Sequence, residues 1–160
     1  MIRRISHTDN LEEIADLVRK SFITVTEQFS ITKINAPTNP AYIGADKVKE
    51  LVHKCEFYSK MIGSVHIGTV AIEKSGREEK TYYIEKLGVH PKYRHEGIGR
   101  ELMNFAFQRI LELGGIKASI GIINEHTVLK YWYVQQGFTE TGTKKFEHLP
   151  FTVCFMEKLL

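Results

Sequence analysis

The sequence has little cysteine and no long apolar run, and each shortage excludes a class of protein. Its two cysteines, Cys55 and Cys154, lie far apart and lack the spacing of metal ligands. We therefore expect two buried thiols in a reducing cytoplasm, with neither a disulfide framework nor a metal site. The longest apolar runs have only the length of a strand, and residues 1–5 lack the apolar segment of a signal peptide. These features predict no membrane-spanning helix and a cytoplasmic location.

The chain also lacks a strong excess of charge. It has 22 lysines and arginines against 19 aspartates and glutamates, a net charge of +3, and the two signs are interspersed, which predicts no nucleic-acid partner. Its seven histidines show no spacing typical of metal ligands, which argues against a metal centre. With 160 residues and no repeat or low-complexity segment, the chain is expected to form a single domain over residues 1–160 with one substantial core.

Turn residues and apolar periodicity predict an alternation of strands and helices. Strands are predicted at residues 2–6, 56–60, 64–73, 82–89 and 116–123, from residue 138 onward, and at 151–158. Helices are predicted after a cap at Thr8 or Asp9, at 45–54, from 99 to the glycine pair 114–115, and at 125–136. Strands that are joined through helices imply a mixed α/β sheet with helices on its faces.

The turn between the 82–89 strand and the long helix has the composition of a pyrophosphate site. Backbone N–H groups at the start of a helix have no partner within it, and the helix dipole favours an anion there. Glycines at 97 and 99 let the backbone approach ligand oxygens, while arginines at 94 and 100 add positive charge. The turn has no Gly-Lys-Ser/Thr ending, and Leu102 stands where a dinucleotide fingerprint needs a small residue. Neither of those two nucleotide motifs is therefore present.

The pattern Arg94-x-x-Gly97-x-Gly99, after a strand ending in Leu-Gly-Val-His-Pro, resembles the acetyl-CoA-binding motif of the GNAT superfamily of N-acetyltransferases. Asn124 and the later segment 132–138, Trp-Tyr-Val-Gln-Gln-Gly-Phe, resemble further family motifs in the family order. The resemblance runs from about residue 60 to the C-terminus. It implies the GNAT fold, a mixed and mostly antiparallel sheet flanked by helices, in which two central strands splay apart and leave a cleft.

The resemblance also implies roles for residues of this chain. Acetyl-CoA would be the co-substrate, with its pantetheine arm and thioester held by backbone groups of Leu87, Gly88 and Val89. Its pyrophosphate would be held by the turn, whose residues are Arg94, His95, Glu96, Gly97, Ile98, Gly99 and Arg100. The alternative is that Leu87 and Val89 only pack in the core. Core packing and cofactor binding are compatible, because packing uses the side chains and binding uses the backbone.

Two tyrosines compete for the role of the acid that protonates the leaving thiolate. Counting back from Gly137 selects Tyr133, whereas counting forward from Asn124 selects Tyr131. Residues two positions apart on a helix point in different directions, so only one can face the sulfur. We favour Tyr133 for its better local match and keep Tyr131 as a candidate for cofactor binding. The alternative is that the aromatic residues at 131–133 form a packing cluster.

Two further assignments stay open at this stage. Asn124 either binds the cofactor arm or caps the helix that follows it. Glu85 is a candidate general base or an attractor for a cationic amine, and strict alternation would place it on one strand face with Tyr83 and Leu87. The alternative is that Glu85 is an ordinary solvated carboxylate on the surface. Members of the family often deprotonate the amine through water, without a dedicated base.

These features predict an acetyl-CoA-dependent N-acetyltransferase that acts on a primary amine of a small molecule or peptide by direct transfer in a ternary complex. Residues 29–42, a mixture of polar and aromatic side chains, either bind the acceptor or simply connect two helices. The rival hypothesis is a non-catalytic module of the same fold that binds acyl-CoA. The family often forms dimers, so a homodimer is a further expectation from the resemblance.

Overall fold

The computed structural model describes all 160 residues. Seven strands form in chain order: β1 (Ile2–Arg4), β2 (Glu56–Ile62), β3 (Val65–Lys74), β4 (Thr81–Val89), β5 (Lys117–Ile123), β6 (Thr139–Lys145) and β7 (Thr152–Leu159). The α-helices are α1 (Leu11–Gln28), α2 (Ala45–Lys54), α3 (Ile98–Glu112) and α4 (Thr127–Gln135). The four α-helices include no candidate for a membrane span.

All seven strands belong to one sheet, in the order β1-β2-β3-β4-β5-β7-β6. Every neighbouring pair is antiparallel except β4 and β5, which run parallel. That parallel pair is joined only at Thr81–Lys117, Tyr82–Ala118 and Tyr83–Ser119, and beyond these residues the two strands separate. The predicted mixed, mostly antiparallel sheet with splayed central strands is confirmed.

Helices cover both faces of the sheet. Alternate residues of β4 and β5, among them Ile84 and Ile120, pack with α3 in one buried cluster. The other face carries a second cluster that includes Phe57 and Ala71 and is covered by α1 and α2. Both cysteines are buried free thiols, as predicted.

A bulge in β4 changes which way its side chains point. Thr69 of β3 pairs with Gly88 and Ala71 pairs with Glu85, so two β4 residues stand opposite the single residue between them. The extra residue is accommodated at Lys86, whose φ of 50° lies in the left-handed region. As a result Leu87 packs against the α3 cluster, on the opposite face from Glu85. The expectation that Glu85 and Leu87 share a face was wrong, because the bulge interrupts the alternation on which it depended.

The helix starts follow the rules of capping, but not always at the predicted residue. Asn10, not Thr8 or Asp9, caps α1 by accepting a hydrogen bond from the Glu13 N–H. Asp9 is instead bound to Arg3, with nitrogen to oxygen distances of 2.6 and 3.0 Å. The predicted bounds of α2 agree with the structure.

Candidate active site

A cavity of about 1060 Å³ opens where β4 and β5 separate. It is walled by the splayed strands, by the turn before α3, by the inner side of α4, and by one side of α1. We call this cavity the cleft. The cleft exists because β4 and β5 stop pairing and move apart, so that neither backbone nor side chains fill the space between them.

The turn before α3 presents a row of free donors at the cleft. Gly97 lies at the helix N-terminus with φ of 80°, and His95 also has a positive φ, 64°. None of the backbone N–H groups of residues 95–100 donates to another group of the protein. Consecutive unpaired N–H groups at the start of a fifteen-residue helix are an arrangement that favours an anion.

The predicted residues of this turn differ in how they meet the cleft. His95, Gly97, Ile98, Gly99 and Arg100 line it. Glu96 does not line the cleft and is exposed, so it can contribute its backbone N–H but not its carboxylate. Arg100 is exposed and forms no ion pair within the protein, which leaves its guanidinium available to an anion.

Arg94 is placed differently from the expectation that it flanks the anion with free charge. Its Nη2 donates to the Ser21 carbonyl oxygen at 2.8 Å, its Nη1 to the Thr24 hydroxyl at 3.0 Å, and its Nε to the Val89 carbonyl oxygen at 3.2 Å. Burial lowers its pKa. The guanidinium therefore ties α1 to β4 and the turn, because its donors are satisfied by the protein itself.

The end of β4 lies close to α1 on one side and to α3 and α4 on the other. A Cβ at Gly88 would lie 2.9 Å from Ser21 Cβ and from Phe22 Cε2, so this close approach of α1 requires glycine. Leu87 and Val89 are half-buried against the α3 cluster. All three predicted residues 87–89 line the cleft, and the bulge at Lys86 gives them this arrangement.

The two candidate tyrosines are separated clearly. Tyr133 is 7% exposed and lines the cleft, whereas Tyr131 is 65% exposed and does not. The Tyr133 ring packs edge-on against Trp132 and Phe138, with centroids 5.0 and 5.6 Å apart. Aromatic packing and a position in the cleft therefore coexist at Tyr133.

The Tyr133 hydroxyl is free within the protein. It has no hydrogen-bond partner, yet no fully buried side-chain oxygen or nitrogen in the structure lacks one, so the hydroxyl reaches the open cleft. Burial of the ring raises the pKa of Tyr133. The hydroxyl therefore keeps its proton at neutral pH and is available as a donor.

Asn124 lies outside the cleft and caps no helix. Its Oδ1 accepts a hydrogen bond from Lys130 Nζ at 2.6 Å, and its N–H donates to the Thr152 carbonyl oxygen at 2.8 Å. The cap of α4 is His126, whose ring nitrogen accepts from the Leu129 N–H at 3.2 Å. The capping alternative for Asn124 was wrong, because α4 starts later than predicted.

Glu85 lines the cleft, and its carboxylate lies 3.4 Å from Lys86 Nζ. Its side chain is 41% exposed, so it is open to solvent and to a ligand. It is the only carboxylate among the 34 residues that line the cleft, whereas Lys86, Arg94 and Arg100 supply three cations. The cleft as a whole therefore favours an anionic ligand, with one local position for a cation.

Several lining residues carry no motif and were missed in the sequence. They are the α1 residues Ser21, Phe22 and Val25, the β5 residues Ser119, Gly121 and Ile123, and the β7 region residues Phe151, Val153 and Phe155. Alternation along β7 could have shown that Val153 and Phe155 share a face. Only the fold shows that this face lies opposite α1.

Comparison with known proteins gives the same assignment of fold. The chain is similar to the structure of PaiA N-acetyltransferase from Thermoplasma acidophilum in complex with coenzyme A, at 18% identity over 100% of this chain and 98% of that one, with a TM-score of 0.77. It is similar to the ribosomal-protein-S18-alanine N-acetyltransferase from Escherichia coli, at 11% identity, 99% and 92% coverage, and a TM-score of 0.76. It is also similar to a GNAT family acetyltransferase from Elizabethkingia anophelis with acetyl-CoA bound. The identity is 16%, the match covers 100% of this chain and 97% of that one, and the TM-score is 0.72.

These structures share the fold over almost their full lengths at low sequence identity. The model of the acetyltransferase (GNAT) family matches residues 14–138, a range that contains the splayed strands, the turn before α3 and α4. On the strength of that match, this chain belongs to the GNAT family of acetyltransferases.

Proposed function

We propose that this protein transfers the acetyl group of acetyl-CoA to the nitrogen of a primary amine, directly and in a ternary complex. The observation that carries the proposal is the row of unpaired N–H groups of residues 95–100 beside the cleft. Such a row suits the diphosphate of a coenzyme A molecule. Similar structures from Thermoplasma acidophilum and Elizabethkingia anophelis contain coenzyme A and acetyl-CoA, which supports the same ligand here.

In this proposal the chain binds the cofactor largely through its backbone. The amides of residues 95–100 hold the diphosphate, and the free Arg100 guanidinium adds positive charge. The backbone of residues 87–89, which lines the cleft, holds the pantetheine arm and aligns the thioester. Arg94 acts indirectly, because its hydrogen bonds to α1 fix the turn against β4.

The transfer forms one bond and breaks one. The neutral amine nitrogen attacks the thioester carbonyl carbon, so a C–N bond forms and the C–S bond breaks. Glu85 or water first takes a proton from the bound ammonium group, which makes the nitrogen a nucleophile. After the attack the nitrogen loses its second proton to water, and the departing thiolate receives a proton from the Tyr133 hydroxyl. Solvent then returns a proton to Tyr133 and removes the one that Glu85 took up. The products are an N-acetylated amine and coenzyme A with a free thiol.

Direct transfer suits the placement of the cysteines. Neither Cys55 nor Cys154 lines the cleft, and both are buried. Burial raises the pKa of the Cys55 thiol to about 11 and also raises the pKa of Cys154. A thiol that stays protonated is a poor nucleophile, so an acetyl-cysteine intermediate is not part of the proposal.

The test combines binding and turnover. Calorimetry should detect acetyl-CoA binding, and a thiol reagent should detect coenzyme A release that depends on an added primary amine. Mass spectrometry of the product should show one added acetyl group on nitrogen. Tight acetyl-CoA binding without release on any amine would instead support the rival hypothesis of a non-catalytic module. Failure to bind acetyl-CoA would overturn both.

A further inference from the structure

The side of the cleft opposite α3 has its own wall, distinct from the cofactor turn. Ala118, Ile120 and Ile122 of β5, with Cys154 and Met156 of β7, pack in the α3 cluster. Because side chains alternate along a strand, the intervening residues point to the other face of the sheet. They are Ser119, Gly121 and Ile123 of β5, and Val153 and Phe155 of β7.

This wall is largely apolar. Gly121 pairs with Phe155, and Ile123 pairs with Val153. A Cβ at Gly121 would lie 3.4 Å from Val153 Cγ1 and 3.8 Å from Phe155 Cε1, so the glycine leaves a depression beside the phenylalanine ring. Phe22 and Val25 of α1 line the same cavity from the facing side. We call this apolar space the trough.

Helix α1 packs on β4, its C-terminal end reaches the segment after β5, and its side chains line the trough. Near its middle it packs on Gly88 of β4, and Arg94 holds it there through the Ser21 carbonyl oxygen. At its C-terminal end the Phe29 ring lies 5.1 Å from the ring of His126, which follows β5. The cleft of about 1060 Å³ has to hold an acyl-pantetheine arm and an acceptor together. That volume is only slightly above the range of about 300–1000 Å³ that a single small-molecule ligand occupies, so a cleft that holds both molecules has room for a small acceptor only.

The charge of the cleft limits the acceptor further. Glu85, which lies on the Tyr83 face of β4, is its only carboxylate and is already close to Lys86. One carboxylate can attract one ammonium group. A polyamine or an aminoglycoside carries several positive charges, which would lie unpaired against Lys86 and the apolar residues of the trough.

We propose that the acceptor is a small primary amine with a single positive charge and an apolar, preferably aromatic, body. The ammonium group approaches Glu85, and the body packs on Phe155, Val153 and Phe22 in the trough. This inference rests on the proposed function, since it names the substrate class of that same site. The inference is more specific than the proposed function. If the protein acetylates a different class of amine, the inference fails and the proposed function still holds.

The first test is a comparison of acceptors with the full-length protein. Release of coenzyme A is measured with phenylethylamine, spermidine, kanamycin and a short peptide with a free N-terminus. We expect kcat/KM for phenylethylamine to exceed that of each other acceptor by about tenfold or more, as burial of an aromatic side group allows. A higher value for spermidine, kanamycin or the peptide would overturn the inference and leave the proposed function standing. No release with any amine would overturn both.

The second test uses the trough itself. Phe155→Ala removes the ring, and Gly121→Val fills the depression without removing any packing. Each should raise KM for phenylethylamine about tenfold, leave kcat within about twofold, and leave KM for acetyl-CoA unchanged. Phe155→Ala should also reduce the preference for phenylethylamine over ethylamine. Phe146→Ala is the matched control, because Phe146 lies outside the cleft against His148 and Lys144.

The control separates recognition from a general loss of structure. Equal effects of Phe155→Ala and Phe146→Ala, or an equal rise in KM for acetyl-CoA, would overturn the inference. If Phe155→Ala fails to fold, Gly121→Val carries the test alone. An unchanged KM for phenylethylamine in Gly121→Val would then place the amine elsewhere in the cleft.

Discussion

Removal of a single oxygen atom tests the proposed acid. In Tyr133→Phe the ring keeps its edge-on contacts with Trp132 and Phe138, and the lost hydroxyl has no partner in the protein. We therefore expect the free energy of unfolding to change by less than about 0.5 kcal/mol. A positioned general acid contributes about 10²–10⁴ in rate, so kcat should fall at least about 100-fold, equivalent to about 2.7 kcal/mol of activation free energy.

The assay follows coenzyme A release at saturating amine and acetyl-CoA, with calorimetry of acetyl-CoA binding beside it. The affinity for acetyl-CoA should be unchanged, because the hydroxyl acts only on the leaving thiolate. Tyr131→Phe is the matched control, since it makes the same chemical change on an exposed side chain of the same helix. Full activity in Tyr133→Phe, or an equal loss in Tyr131→Phe, would refute the assignment.

Three further predictions concern the turn before α3, the attachment of that turn to α1, and the ion pair between Glu56 and Arg109. Gly97→Ala forces a Cβ into left-handed backbone, at about 1–2 kcal/mol, and should weaken acetyl-CoA binding in calorimetry; an unchanged affinity would move the diphosphate away from this turn. Arg94→Met loses the hydrogen bonds to Ser21 and Thr24, so the free energy of unfolding measured in urea titrations should fall by about 3 kcal/mol. A loss of affinity for acetyl-CoA without a loss of stability would instead show that Arg94 binds the ligand. The Arg109 guanidinium lowers the pKa of Glu56 to about 2, so the pair stabilises the fold at neutral pH and this contribution is lost as pH falls from about 5 towards 2. Urea unfolding at pH 6 and pH 3 should show a smaller loss in Glu56→Gln than in the parent protein, and equal losses would contradict this.

The parts of the fold that follow from local chemistry could be predicted from the sequence. Apolar periodicity gave α2 at its observed bounds, and strand-forming residues ending in glycine, histidine and proline gave β4. The glycines at 97 and 99 pointed to unpaired backbone N–H groups at the start of α3, and the structure has them; the diphosphate proposed to bind there stays a prediction. The resemblance to a family supplied the splay between β4 and β5, which no local pattern indicates.

Features that depend on distant contacts could not be predicted in this way. The bulge places Lys86 in left-handed backbone. Glycine or asparagine would have indicated such a conformation in the sequence, but lysine does not. The composition of the turn shows that Arg94 is positive, but not that its acceptors lie on a helix 70 residues earlier. Phe155 is likewise an ordinary strand residue until the sheet places it opposite α1. In each case the missing information is the position of another element.

The limited pairing between β4 and β5 has a consequence for motion. Only three residue pairs connect the four strands that end at β4 with the three that start at β5, so the two parts of the sheet meet over a short hinge. A small change of twist at that hinge would widen or narrow the gap at its open end. A molecule bonded to both inner edges would hold them at one separation, and the occupied protein should therefore be the more rigid one.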